Sequence, residues 1–120
     1  MSTSRIRTTL ADYIAERTTP PIRATFLNDD AAAQQPVTAT LTLHVAGTII
    51  NSRDAVDLML SITDGVLAFK TDPADFAFQG TDVKETHVAL IEWTWLDDDG
   101  TTRSDKHEIV HTVANFAQVP

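Results

Sequence analysis

At 120 residues, with 42% apolar and 22% charged content, the chain suits one globular domain that can bury a core without staples. Its net charge of -8, from nine Lys and Arg against seventeen Asp and Glu, opposes phosphate backbones and anionic lipid surfaces, so neither nucleic acid nor membrane is expected as a partner. The lack of cysteine removes disulfides, thiolate nucleophiles and zinc-thiolate sites.

The opening "MSTSRIRTTLADYIAERTTPP" has no apolar signal core, and no run of eighteen apolar residues follows, so synthesis as a soluble cytoplasmic protein is expected. Within it, Leu10, Tyr13 and Ile14 share the i, i+3, i+4 spacing of one helical face, with Thr9 as a candidate N-cap, which predicts a short helix over Leu10–Arg17. Pro20 and Pro21 stop it. Residues 1–20 therefore read as an arm or short helix, and residues 21–120 as the sheet domain.

"PIRATFL" alternates Ile22, Ala24 and Phe26 against Arg23, Thr25 and Leu27, the period of a half-buried strand. The polar loop "NDDAAAQQP" precedes the clearest strand, "VTATLTLHV", where Val37, Ala39, Leu41, Leu43 and Val45 face one way and Thr38, Thr40, Thr42 and His44 the other. Ala46-Gly47 breaks it. Between Asp57 and Ile62 the alternation of Leu58, Leu60 and Ile62 favours a strand over a helical turn. "TDG" at 63–65 and "TDPAD" at 71–75 are turn signals around "VLAFK", with Asp72 and Asp75 expected to be solvated loop acids. "FAFQGTDVKE" reads as loop with a short edge strand.

"HVALIEWTWL" and "HEIVHTVANF" flank "DDDGTTRSD" and predict a long hairpin. A turn centred between Asp99 and Gly100 makes opposed residue numbers sum to about 199. That register sets His87 against Thr112, diagonal to His111, and His107 against Glu92. About seven strands with frequent turns and little helix predict an all-β sandwich.

Three readings compete for the hairpin. Consecutive Asp97, Asp98 and Asp99 followed by Gly100 suit a turn better than a calcium loop, which needs ligands at alternate positions and a closing glutamate. Trp93 and Trp95 share a strand face and offer an aromatic surface for a sugar or a partner, with burial in the core as the alternative. His87 and His111 are weak zinc candidates without a third converging ligand, and ordinary surface histidines are favoured. Ser52, Ser61 and Ser104 lack a nucleophile-elbow context and no Gly-rich phosphate loop follows a strand, so neither an enzyme nor a cofactor is expected.

"IRATFLND", "VTATLTLHV", the "DG" turn before "VLAFK", and "HVALIEWTWLDDDGTTRSDKHEIVHTV" together resemble small immunoglobulin-like structural proteins of tailed bacteriophages, over most of residues 21–116. The resemblance implies an Ig-like sandwich without catalytic residues, located in the virion. It would sit at the head-tail connector or neck, on the capsid as a decoration protein, or in a baseplate or fibre attachment. It would pack against copies of itself and other virion proteins. On that reading the arm is the docking element, with Leu10, Tyr13 and Ile14 as apolar contacts and Arg5, Arg7 and Arg17 as charged ones. A carbohydrate-binding sandwich using Trp93 or Trp95 is the alternative from another class.

Overall fold

The computed structural model describes residues 4–11, 13–78 and 84–114. Ten strands run in chain order: β1 (Arg5–Thr9), β2 (Tyr13–Ala15), β3 (Ile22–Leu27), β4 (Thr38–Val45), β5 (Thr48–Ile49), β6 (Val56–Asp57), β7 (Ile62–Thr63), β8 (Val66–Phe69), β9 (Lys84–Leu96) and β10 (Thr102–Ala114). They form two sheets, β1-β3-β8-β7 and β2-β10-β9-β4-β5, with β6 added to β4. The pair β2–β10 is parallel, and the other strand pairs are antiparallel. The chain is thus an all-β sandwich, as its alternating patterns require.

The strands fold this way because one side of each is apolar and gains by leaving water. From the small sheet Ile22, Ala24, Phe26, Ile62 and Leu67 point inward, and from the large one Ala39, Leu41, Leu43, Ala89, Ile91, Trp93, Trp95 and Ile109 meet them. Each fully buried Leu, Ile or Phe among them contributes about 1.5–3 kcal/mol. Phe26 and Trp93 link the layers edge to face, with centroids 5.5 Å apart at 67°. A smaller cluster of Ile14, Phe76 and Val113 closes the far end, with Leu10 bridging it to the main core.

Three expectations are corrected. The described residues of Leu10–Arg17 form no helix: Ile14 and Ala15 pair with Val113 and Ala114, and the chain passes after Thr9 from one sheet to the other. The spacing of Leu10 and Ile14 serves two inward contacts of an extended crossing, while Tyr13 turns outward. Asp57–Ile62 is not one strand either. Asp57 accepts a hydrogen bond from the Met59 N–H at 2.9 Å, which starts a 3-10 turn over Met59–Ser61. Leu58 and Ile62 are buried, and Leu60 between them is fully exposed. Third, β9 and β10 pair with numbers summing to 198, so His87 opposes His111 and His107 opposes Ile91.

The one-residue offset comes from the loop. Asp97 N–H donates to Thr101 O at 2.8 Å and Gly100 N–H to Asp97 O at 2.9 Å, giving a three-residue loop with Gly100 at φ 82°. The β7–β8 hairpin instead turns on two residues, Asp64 and Gly65, both at positive φ. Gly65 is required twice over, since a Cβ there would also lie 2.6 Å from the Gln34 backbone nitrogen. Of "FAFQGTDVKE", Phe76 ends a second 3-10 turn (Pro73–Phe76) and Lys84 begins β9, while 79–83 lie outside the described residues.

Candidate functional site

The aspartates of the hairpin serve the turn. Asp97, buried, accepts hydrogen bonds from the Asp98 N–H at 2.7 Å and from Arg103 Nε at 2.9 Å. Asp99, exposed, accepts from the Thr101 N–H at 2.9 Å, and hydrogen bonds from the Thr101 side chain and then its N–H hold the Asp99 carboxyl below the usual range. Asp97 and Asp99 both face the Arg103 guanidinium, the second at 3.9 Å. Among the described residues no group of three or more His, Cys, Asp or Glu is placed to hold a metal ion.

His87 and His111 are buried, not surface, residues, because the observed register turns both toward the interior. Their rings lie 5.8 Å apart, and Phe76 packs edge-on against His111 at the same distance. His87 Nε2 is 2.7 Å from Glu85 Oε1, while its Nδ1 has no hydrogen-bond partner among the described residues. Burial lowers the pKa of both. Glu85 partly offsets this at His87; at His111 the Ile109 carbonyl offsets it and the neighbouring His87 adds to it.

Both indoles are interior as well, with Trp93 2% and Trp95 8% exposed, so neither presents a face for stacking. Trp93 Nε1 donates to Ser4 Oγ at 2.9 Å, tying the first described residue to the core. The six arm residues do not share a surface. Leu10 and Ile14 pack inward, Tyr13 stands on the outer face of the large sheet, and Arg5 and Arg7 stand on that of the small sheet. Arg17 sits beyond β2, its N–H donating to Phe76 O at 3.2 Å.

Sequence reasoning misses the best-built polar cluster in the molecule. Asp75, expected in solvent, is buried and receives Arg53 Nε at 2.8 Å, Asn51 Nδ2 at 2.8 Å and the Asp72 N–H at 2.8 Å. Burial by itself raises the Asp75 carboxyl, but these donors and the Arg53 charge hold it below its ordinary value. Arg53 also reaches Asp72 at 3.2 Å and lies 5.1 Å over the Phe69 ring. The cluster clamps the β5–β6 loop to the Pro73–Phe76 turn. Its one sequence signal is the capping pair Asp72 and Asp75 around Pro73.

Two open faces remain. On the large sheet, Val110 opposes Val88, which opposes His44, which opposes Ile49, and Tyr13 and Leu90 lie on neighbouring rungs. Tyr13, Val110 and Ile49 are 50%, 55% and 38% exposed, so an apolar band crosses an otherwise polar face. Further along, Thr38, Thr40, Glu92, Thr94, Ser104 and Lys106 border a depression of about 370 Å³. The small sheet presents Arg7, Thr9, Arg23 and Thr25 around a depression of about 230 Å³. Comparison of the chain with protein-family models, with curated proteins and with solved structures finds no match.

Proposed function

We propose that the chain is a non-enzymatic structural module of a tailed-phage virion, acting by protein–protein contact at the head-tail connector or neck, with capsid decoration or baseplate and fibre attachment as its second setting. The observation that carries the assembly reading is the band of Tyr13, Val88, Leu90, Val110 and Ile49. Apolar side chains that run from β2 through β10 to β9, and resume at Ile49 of β5 beyond His44, gain free energy when a partner removes them from water. An Ig-like description is supported by the strand order, since with the short strands β2, β5 and β6 set aside the sheet β1-β3-β8-β7 faces one built on β10-β9-β4. The virion setting rests on the resemblance of the strand and turn sequences. Carbohydrate stacking on Trp93 or Trp95 has no support from their burial.

Co-expression with the products of adjacent genes tests the reading. A stoichiometric complex with a portal, capsid or tail-type protein is the expected result, with Val110→Glu weakening it at least about tenfold, or ~1.4 kcal/mol. Neighbouring genes of unrelated function and no such complex would count against it.

A further inference from the structure

The four strands of the small sheet contain three arginines, Arg5, Arg7 and Arg23, and no Asp or Glu. Setting these three aside takes the net charge of the remaining chain from -8 to -11. Alternation puts all three on the outer face. Arg7 opposes Thr25 and Arg23 opposes Thr9, so the two guanidinium groups sit on adjacent rungs, with Arg5 two residues before Arg7. None of the three takes part in a salt bridge among the described residues. Charged residues on the edge strand β1 guard it against further strand addition. That explanation fails for Arg23, which lies on the interior strand β3 between β1 and β8.

The acids lie elsewhere, and five of them lie together in the topology. The β3–β4 loop, the β7–β8 turn and the β9–β10 turn all emerge at one end of the sandwich, as the pairings Thr38 with Thr94 and Thr25 with Val66 require. That end carries Asp29, Asp30, Asp64, Asp98 and Asp99, all exposed. Its nearby cation, Arg103, is engaged by the buried Asp97 and reaches Asp99 at 3.9 Å, which leaves Asp30, Asp64 and Asp98 as acids for which no salt bridge is seen among the described residues. One molecule thus carries an acidic end and, on the outer face of the small sheet, a basic patch that starts beside that end at Arg5, opposite Leu27, and runs away from it through Arg7 to Arg23.

We propose that the outer face of the small sheet is a self-recognition surface, on which Arg5, Arg7 and Arg23 of one copy receive the aspartate-bearing loop end of a second copy. The proposal rests on the reading that the chain acts by protein–protein contact and not on its virion setting. A polyanion such as nucleic acid would meet the strongly negative remainder of the chain, whereas a loop end presents its charge locally. Because the two surfaces differ, the contact is heterologous, and repetition gives a ring or an open row rather than a closed pair.

The test is mass by light scattering and sedimentation on the full chain over a range of concentration, at about 20 mM and about 500 mM salt. Self-association that grows with concentration at low salt and weakens at least tenfold at high salt is expected. Arg7→Glu with Arg23→Glu should abolish it, as should Asp30→Lys with Asp98→Lys, each with unchanged circular dichroism. Mixing the two variants should restore association, because each then offers the other a complementary face. A chain that stays monomeric throughout overturns the proposal. So does association indifferent to salt and to both charge reversals, which would place the contact on the apolar band and leave the assembly reading standing.

Discussion

Arg53 decides whether Asp75 can remain ionised where no part of its side chain reaches solvent. Two guanidinium contacts, the Asn51 amide and a backbone N–H occupy its two oxygens. Arg53→Met removes the guanidinium that lies over Phe69 and leaves a buried carboxylate without its counter-charge, and a loss of about 3–5 kcal/mol is expected in urea unfolding. Adding Asp75→Asn should recover part of that loss; recovery of none would mean that the contact over Phe69, not the ion pair, matters. The Asp-Pro-Ala-Asp turn was legible, but its partner was not. Arg53 stands 22 positions earlier in a loop where Asn51 and Ser52 take φ of 54° and 56°; Asn51 tolerates that conformation, but Ser52 does not signal it as a glycine would. Trp93 shows the same limit, since a strand face reads equally well as core or platform until the opposing sheet is known.

Among the elements, the legible ones are those with water on one side and core on the other. "VTATLTLHV" and the last hairpin alternate because the inward residues of β4, β9 and β10 meet the small sheet or, at the far end, Ile14 and Phe76. The crossings were illegible. Leu10 to Ile14 and Leu58 to Ile62 each have two inward residues four apart, which mimics a helical face or interrupts an apparent strand. The hairpin register slipped by one residue because three residues, not two, close the loop. Since β1 and β2 are the edges of the two sheets, a chain starting at Pro21 would lose the Ile14 burial and the Ser4–Trp93 bond and uncover β3 and β10. That truncation should lower stability by at least about 3 kcal/mol and promote aggregation. A soluble monomer with the full chain's unfolding midpoint would contradict the edge assignment.

At the scale of the whole molecule, three buried groups with lowered pKa among the described residues, His87, His111 and Asp75, shape how stability follows acidity. His87 and His111 fall below their ordinary 6.5, so below that pH the unfolded chain binds protons that the folded chain refuses. Their contribution is complete above about 6.5 and is lost as pH falls toward the lower folded values. Asp75, held below 3.8, adds a second loss under pH 4 as its ion pair is protonated away. Unfolding free energy should therefore decline from pH 7 to pH 5, measured at constant ionic strength. His111→Phe, which keeps a ring against Phe76, should flatten that decline; an unchanged slope would assign it to other groups.

The parallel pairing of β2 with β10 has a mechanical consequence. Ser4 lies at the end of the molecule bearing the β9–β10 turn, and Ala114, paired with Lys84, lies at the other, along a body 57 Å long. A pull between the two ends drags β1 along β3 and β2 along β10, loading each row of backbone bonds in shear, so they must break together instead of peeling one at a time. A chain strung between two neighbours would resist tension along its length and yield more readily to a pull across its sheets.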